Sequence, residues 1–525
     1  MKRLALLIAV IANGFFLFTS APHTFAASFI VNNGGDGVDL VPGDGVCSSA
    51  PGVCTLRATI QEANALAGSD LITFDPAITT VNNFSSLPQV TTTMTIQAAS
   101  VVTVLGDFAN QTFGVFDVAS GGNLTLINIK VQDGGGTVGA GIRNRAGGTV
   151  TMTGCEFSFN KASASGGGIR NDGTMTLNTC NIVLNEAAIR GAGIFNTPGS
   201  NLTINDSNVN GNDNNPGTGG GGISNEGTLN INRSLINGNL TAGNGGGIEN
   251  LNNGGIVTVT NSSISFNSAF NANGGGIFNS LTGTVNLNNS TVTDGNFASI
   301  GGGIFNDVGS TVNARSSIIA KNQAPTSGPD VSGGFTTPSF NLIGESDGSV
   351  GFVNGVNSNI VGTTAVPVDP LLGPLANNGG PTLTYAVLVN SPAIDKGNAF
   401  GATTDQRGFN RTYDYLGIPN AADGTEIGSF ERQAPTAAEV SLSGRVSNAN
   451  GRGIRNIRVV ITGGNLSEPR TALTSSFGYF SFDGLRAGET YVVTVSGKRY
   501  RFANPMRVIT LNDNFTDVDF TSEAP

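Results

Sequence analysis

"GGGIFN" stands at 274–279 and again at 301–306, with "TGTVNLNNSTVTDGN" (282–296) between the two. Aligned on Gly-x-Gly-Ile-x-Asn, the chain holds seven copies, starting at Gly139, Gly166, Gly191, Gly220, Gly245, Gly274 and Gly301, spaced 27, 25, 29, 25, 29 and 27 residues apart. Spacing this regular marks one structural unit repeated. Between copies lies a second shared stretch, as in "TVTMTGCEFSFN" (149–160), "TMTLNTCNIVLN" (174–185), "TLNINRSLINGN" (228–239) and "TVNARSSIIAKN" (311–322). Apolar residues occupy its second and fourth places (Val150 and Met152, Met175 and Leu177, Leu229 and Ile231) and its ninth (Phe157, Ile182, Ile236, Ile319). A period of two reads as a short strand, a turn and a second strand, and the Ile of the glycine motif adds a third. Three short strands in about 27 residues, with no helical period, make one turn of a parallel β-helix. Each strand then pairs with its equivalent one turn later, about 4.8 Å along the axis.

That register stacks like on like. Ile142, Ile169, Ile194, Ile223, Ile248, Ile277 and Ile304 should form one buried ladder. Asn144, Asn171, Asn196, Asn225, Asn250, Asn279 and Asn306 should form another at a bend, bonding to one another and to turn backbone. The glycines supply positive φ for tight corners. A leucine-rich repeat is excluded by the absence of its Leu-x-x-Leu-x-Leu spacing. A β-propeller would need larger blades and more aromatics than 7%.

The chain opens with "MKRLALLIAVIANGFFLFTS" and then "TFAAS", the pattern of a secretory signal over residues 1–27, cleaved after Ala26 or Ala27. The single histidine, His23, lies within it, so the mature chain has no imidazole for a nucleophilic triad or a metal. No other segment is long and apolar enough to span a membrane. Residues 28–436 carry 14 Lys and Arg against 28 Asp and Glu, whereas residues 437–525 carry 10 against 8. An acidic body argues against nucleic acid as a partner.

Outside the repeats, "CTLRATIQEANALAGSDLITF" (54–74) resembles the CSLREA segment that opens secreted bacterial β-helix proteins. "NNGGPTLTYAVLVNSPAIDKGN" (377–398), "TDQRGFNR" (404–411) and "EIGSFE" (426–431) are similar to the end of the choice-of-anchor Q family. The resemblance implies a right-handed, three-sheet, pectate-lyase-like parallel β-helix, exported to the cell surface or medium, with no assigned activity for most members. The residues at the ends agree. Leu56, Ile60, Ala63 and Ala67 share one helical face that Gly68 closes, so a short helix within residues 28–89 would cover the open first rung. Cys47 and Cys54 flank a small loop in an exported chain and are expected to form a disulfide. Cys155 and Cys180 fall at one repeat position, 25 residues apart, either as a disulfide or as a stacked pair. The β-helix and its C-terminal cap are expected over 90–431 and a linker over 432–439. Residues 440–525 alternate as strands with Asn-Gly turns, a small sandwich similar to the carboxypeptidase regulatory-like (prealbumin-like) module. Within it, Lys498, Arg499, Tyr500 and Arg501 form a basic patch, read first as a solvated strand end and otherwise as a contact for an anionic glycan.

No constellation commits the chain to catalysis. A lyase wants carboxylates converging on Ca²⁺ and a basic residue for the proton α to a uronate carboxyl. After the ladder Asn the series reads Asp172, Thr197, Glu226, which leaves the two acids two rungs apart. Before it stand Arg143 and Arg170 on adjacent rungs, candidate contacts for a carboxylated sugar. "GGDGVDLVP" (34–42) and "DSNVNG" (206–211) match calcium motifs by letter, but the first lacks tandem copies and the second lacks the closing Glu. The expectation is therefore an exported, monomeric, non-catalytic surface protein without cofactor or metal, binding carbohydrate or matrix. A polysaccharide lyase or hydrolase and a structural spacer are the alternatives.

Overall fold

The strand register of a computed structural model of the chain is the one the repeats demand. It describes residues 27–107, 114–251, 254–415, 417–433, 439–464, 466, 468–487, 489–511 and 514–523, in two compact units that divide after Glu431. The leader read from residues 1–27 lies, but for Ala27, outside the described residues.

Ile142 pairs in parallel with Ile169, and so on through Ile194, Ile223, Ile248, Ile277 and Ile304, all fully buried. The ladder runs one rung further at each end, to Phe116 and Val331, where the glycine motif is missing. Burying each such side chain stabilises the coil by about 1.5–3 kcal/mol. The first glycine of each motif has a positive φ, +69° at Gly166 and +67° at Gly220, as the tight corner requires. The third glycine serves a different need. A Cβ on Gly222 would stand 2.6 Å from the carbonyl oxygen of Gly247 and 3.0 Å from the Asn239 amide.

Each of the six turns between Thr149 and Asn306 holds four strands, one more than expected. In the turn that begins at Thr149 they are Thr149–Thr153, Glu156–Ser158, Lys161–Ser165 and Ile169–Asn171. The unexpected one belongs to a seven-stranded sheet whose inward residues include Ala162, Ala187, Thr241, Ala269 and Ala298. Small inward side chains give no apolar period, so this strand left no trace in the pattern. The first two strands of each turn join into one sheet, and the Ile–Asn strands form a ten-stranded one.

Three polar ladders run inside the coil. In the first, each amide of the expected series donates to the next, from Asn144 to Asn171 at 2.8 Å and onward to Asn306. The second was not expected. Asn160, Asn185, Asn212, Asn239, Asn267, Asn296 and Asn322 pass Nδ2–H to Oδ1 in the same way, and the series ends on the carboxylate of Asp330 at 2.8 Å. In the third, the backbone N–H of one rung donates to the hydroxyl of the next, from Cys180 to Ser207, Ser234, Ser262, Ser290 and Ser317. Cys155 and Cys180 begin this last column as buried free thiols, so they form the stacked pair rather than the disulfide. Cys155 Sγ donates to the Leu126 carbonyl and Cys180 Sγ to the Asn178 carbonyl, and the adjacent Cys155 together with burial pushes Cys180 up.

At the N-terminal end the helix spans Leu56–Ala65, capped by Thr55, and buries Leu56, Ile60 and Ala63 beside Phe29 and Val31 of the outermost strand. Ala67 lies beyond the helix and is exposed, because the chain turns extended at Leu66, before Gly68. Cys47 and Cys54 are disulfide-bonded.

After the last rung the chain turns back. A hairpin of Leu372–Ala376 and Thr384–Val387 leads into irregular chain that lies along the flank of the coil. Gln406 donates to the Ser234 carbonyl and accepts from Ser263, Ser429 meets Thr291, and Gly428 donates to the Ser316 carbonyl. The segment expected as a cap therefore touches four rungs from the side. A buried ionic group holds it: Arg407 pairs with Asp405 at 2.7 Å and Arg411 with Glu431 at 3.6 Å. Glu426, also fully buried, lies against Glu431, and neither of its oxygens receives a hydrogen bond among the described residues.

The second unit packs a three-stranded sheet (Tyr479–Arg486, Glu439–Ser447, Phe520–Thr521) on a four-stranded one (Arg470–Leu473, Arg458–Gly463, Glu489–Ser496, Met506–Leu511). Leu442, Val459, Ile461, Phe482, Tyr491 and Val493 are among its buried core.

Candidate functional site

A strand paired on both sides within a coil still presents every second residue to the outside. On the ten-stranded sheet that outward column reads Asp117, Arg143, Arg170, Phe195, Ser224, Glu249, Phe278, Phe305. Arg143 and Arg170, the expected sugar contacts, converge on one carboxylate: their Nε atoms lie 3.3 and 2.8 Å from Asp172. Arg170 also lies over the Phe195 ring, 5.3 Å from its centroid. Much of their charge is thus already answered within the protein. Arg145 is likewise bound to Asp117, which holds its pKa up.

Three rungs along, the same face holds a group that sequence reasoning missed. Glu249 is only 2% exposed and accepts a hydrogen bond from the Ser224 hydroxyl at 3.0 Å. Gly219 makes room for it, since a Cβ there would stand 2.2 Å from Glu249 Oε1. Beside it Arg190 Nη1 meets Glu226 Oε1 at 3.5 Å. Burial pushes Glu249 up to about 7, against the opposing pull of Arg190 and the Ser224 hydroxyl. A carboxylic acid that titrates near neutrality beside an arginine-held carboxylate can give and take a proton. Glu249 occupied a known column in the sequence, but its partners Arg190 and Gly219 come from the preceding turns, where nothing in the spacing marks them. Asp172 and Glu226, the two acids weighed from the sequence, hold separate arginines and do not act as one group.

A second outward face is uncharged. On the first strand of six successive turns the outer residues are Thr149, Thr151 and Thr153; Thr174, Thr176 and Asn178; Asn201, Thr203 and Asn205; Thr228, Asn230 and Asn232; Ile256, Thr258 and Thr260; and Thr284, Asn286 and Asn288. They stand in exact register across rungs, about 4.8 Å apart along the axis. None is buried. The asparagines are braced in a line, Asn232 donating to Asn205 and Asn205 to Asn178, each at 3.0 Å. The result is a grid of hydroxyls and amides on a paired backbone, interrupted by the exposed Ile256. Among the described residues, no group of three or more His, Cys, Asp or Glu side chains is arranged to hold a metal, and no helix is long and apolar enough to cross a membrane.

Residues 441–523 match the carboxypeptidase regulatory-like domain family. No curated protein matches the chain. Among solved structures, the chain is similar to pectate lyase Pel9A, with 13% identity and a TM-score of 0.38 over 78% of this chain and 98% of that one. It is also similar to the PL6 family alginate lyase AlyGC, with 12% identity and a TM-score of 0.29 over 80% of this chain and 62% of that one. The parallel β-helix is established by its own strand register, and neither likeness bears on activity.

Proposed function

We propose that this is an exported, non-catalytic β-helix protein that binds carbohydrate or matrix polymer through its threonine and asparagine grid. The grid is the observation that carries this reading. It offers donors and acceptors at a fixed repeat, held by the pairing beneath, so a polymer laid on it would lose little to protein ordering. The leader sequence, the disulfide and the likeness of residues 54–74, 377–398, 404–411 and 426–431 to choice-of-anchor Q proteins support export to an oxidising compartment. The mature chain acts as a monomer in this reading, without cofactor. A glycan array tests it: the full chain should retain one or more neutral or acidic polysaccharides, and Thr176→Glu with Thr203→Glu should abolish that retention. An array on which the native chain binds nothing would leave the structural spacer as the better account.

Glu249 favours a second reading, cleavage of an acidic polysaccharide at the Ser224–Glu249–Arg190–Glu226 group. The measurement that separates the two is the ultraviolet absorbance of unsaturated uronate product, with Ca²⁺ added. On the first reading no product accumulates. On the second it does, and Glu249→Gln removes it by at least about a hundredfold, the usual weight of a general acid or base.

A further inference from the structure

The second unit contains a basin of about 500 Å³ lined by Asn448, Asn450, Arg499, Tyr500, Arg501, Ser522 and Glu523 among others. Two elements build it. The chain reverses tightly at Gly497–Tyr500, where those two residues bridge, and this sets Arg499 and Tyr500 on the rim. Opposite stands the turn after Ser447, in which Asn448 Oδ1 accepts from the N–H groups of Asn450 and Arg452 at 3.1 and 2.9 Å. With its oxygen so used, Asn448 has its amide hydrogens left to offer. The C-terminal strand closes the side, Glu523 N–H donating to the Arg501 carbonyl at 2.8 Å.

The charge here departs from the habit of the first unit. In the first unit every arginine of the described residues faces a carboxylate, except Arg315, which lies over Phe400. Arg499 and Arg501 line a concavity, yet neither guanidinium has a carboxylate or hydrogen-bond partner among the described residues. An unpaired guanidinium presents a planar fork matched to a carboxylate. Tyr500, 41% exposed, adds an apolar ring face with a polar tip. Amides, a serine and the Glu523 carboxylate supply partners for hydroxyl groups. Glu523 also weighs against a doubly charged phosphate, because its own charge would repel the second negative charge more than a single one.

We propose that this basin binds a uronic acid residue of an acidic glycan, its carboxylate on Arg499 and Arg501 and its ring against Tyr500. The site is separate from the grid on the β-helix and does not depend on it. The test uses the full chain with two probes, trigalacturonate and the neutral maltotriose, followed by calorimetry at low and moderate salt. Trigalacturonate should bind, more weakly as salt rises, and maltotriose should not. Arg499→Gln with Arg501→Gln should weaken trigalacturonate binding by about tenfold or more, as loss of charge-assisted hydrogen bonds implies, with the unfolding midpoint unchanged. Thr176→Glu with Thr203→Glu should leave this binding intact. The proposal is overturned if trigalacturonate fails to bind the native chain, if the double arginine variant binds it equally well, or if the grid variant is the one that loses it.

Discussion

Asn212→Ala will destabilise the β-helix more than any single outward substitution, by about 3 kcal/mol or more in urea unfolding. Asn212 is wholly buried and sits at the centre of four hydrogen bonds. Its Oδ1 accepts from both the backbone and the side-chain amide of Asn185, at 3.0 and 2.9 Å, and its Nδ2 donates to the Ile182 carbonyl and to Asn239. Alanine leaves two donors and one acceptor in a dry interior with nothing to meet, and each such orphan costs about 1–3 kcal/mol. Asn205→Ala is the control. It also breaks an amide pair, but on the half-buried outer face, where water replaces the lost partner, so its cost should stay under about 1 kcal/mol. Equal losses for the two variants would mean that the inner ladder contributes no more than the outer one.

The second large effect is on pH. Burial, with Glu431 and Asp395 close by, pushes Glu426 up from 4.5 to about 10. In the unfolded chain the same carboxyl ionises near its ordinary value. Between those limits the folded chain holds a proton that unfolding releases, so stability is greatest below about 4.5 and declines as pH rises, by about 1.4 kcal/mol per pH unit. Glu431 is also raised and acts with the same sign. Glu249 and Asp330, each pushed up to about 7 by burial, add to the decline only below that value. Between about pH 7.5 and 9.5 the Glu426–Glu431 pair and the raised Cys180 thiol both contribute to the decline, and the pair's share is the part that Glu426→Gln removes. Glu426→Gln cannot ionise, yet its amide can donate to Glu431. Over that range the urea midpoint of the native chain should fall more steeply than that of the variant. Parallel curves would show that the pair is not protonated in the fold.

The coil itself was plain in the sequence, because a parallel solenoid writes its register as spacing: the Ile and Asn of the glycine motif recur every 25–29 residues and meet as that recurrence requires. The strand at Lys161–Ser165 was not, since inward alanines carry no amphipathic signal. The inner Asn160 series recurs just as regularly, but an asparagine at a strand end reads equally well as a turn residue, and only the fold places it indoors. Sites fared worse than strands. Arg143 and Arg170 were visible as neighbours, while Asp172, which claims both, belongs to a different column of the repeat. Glu249 needs Gly219 and Arg190 from earlier turns. The flank contacts of Gln406 and Ser429 lie 138–172 residues from their partners, and no period links them.

Asp330 has a consequence for how such a chain can lengthen or shorten. An amide offers one face that gives and one that takes, so a column of them has a direction and hands an unmet demand for an acceptor down to its last member. Asp330 meets that demand with oxygens alone, taking the N–H and Nδ2–H of Asn322 through one and the N–H of Glu345 through the other. Modules duplicated or deleted upstream of it would each bring or remove a matched pair of faces and leave the column closed. The same event beyond Asp330 would set a carboxylate among amides and leave the column broken there.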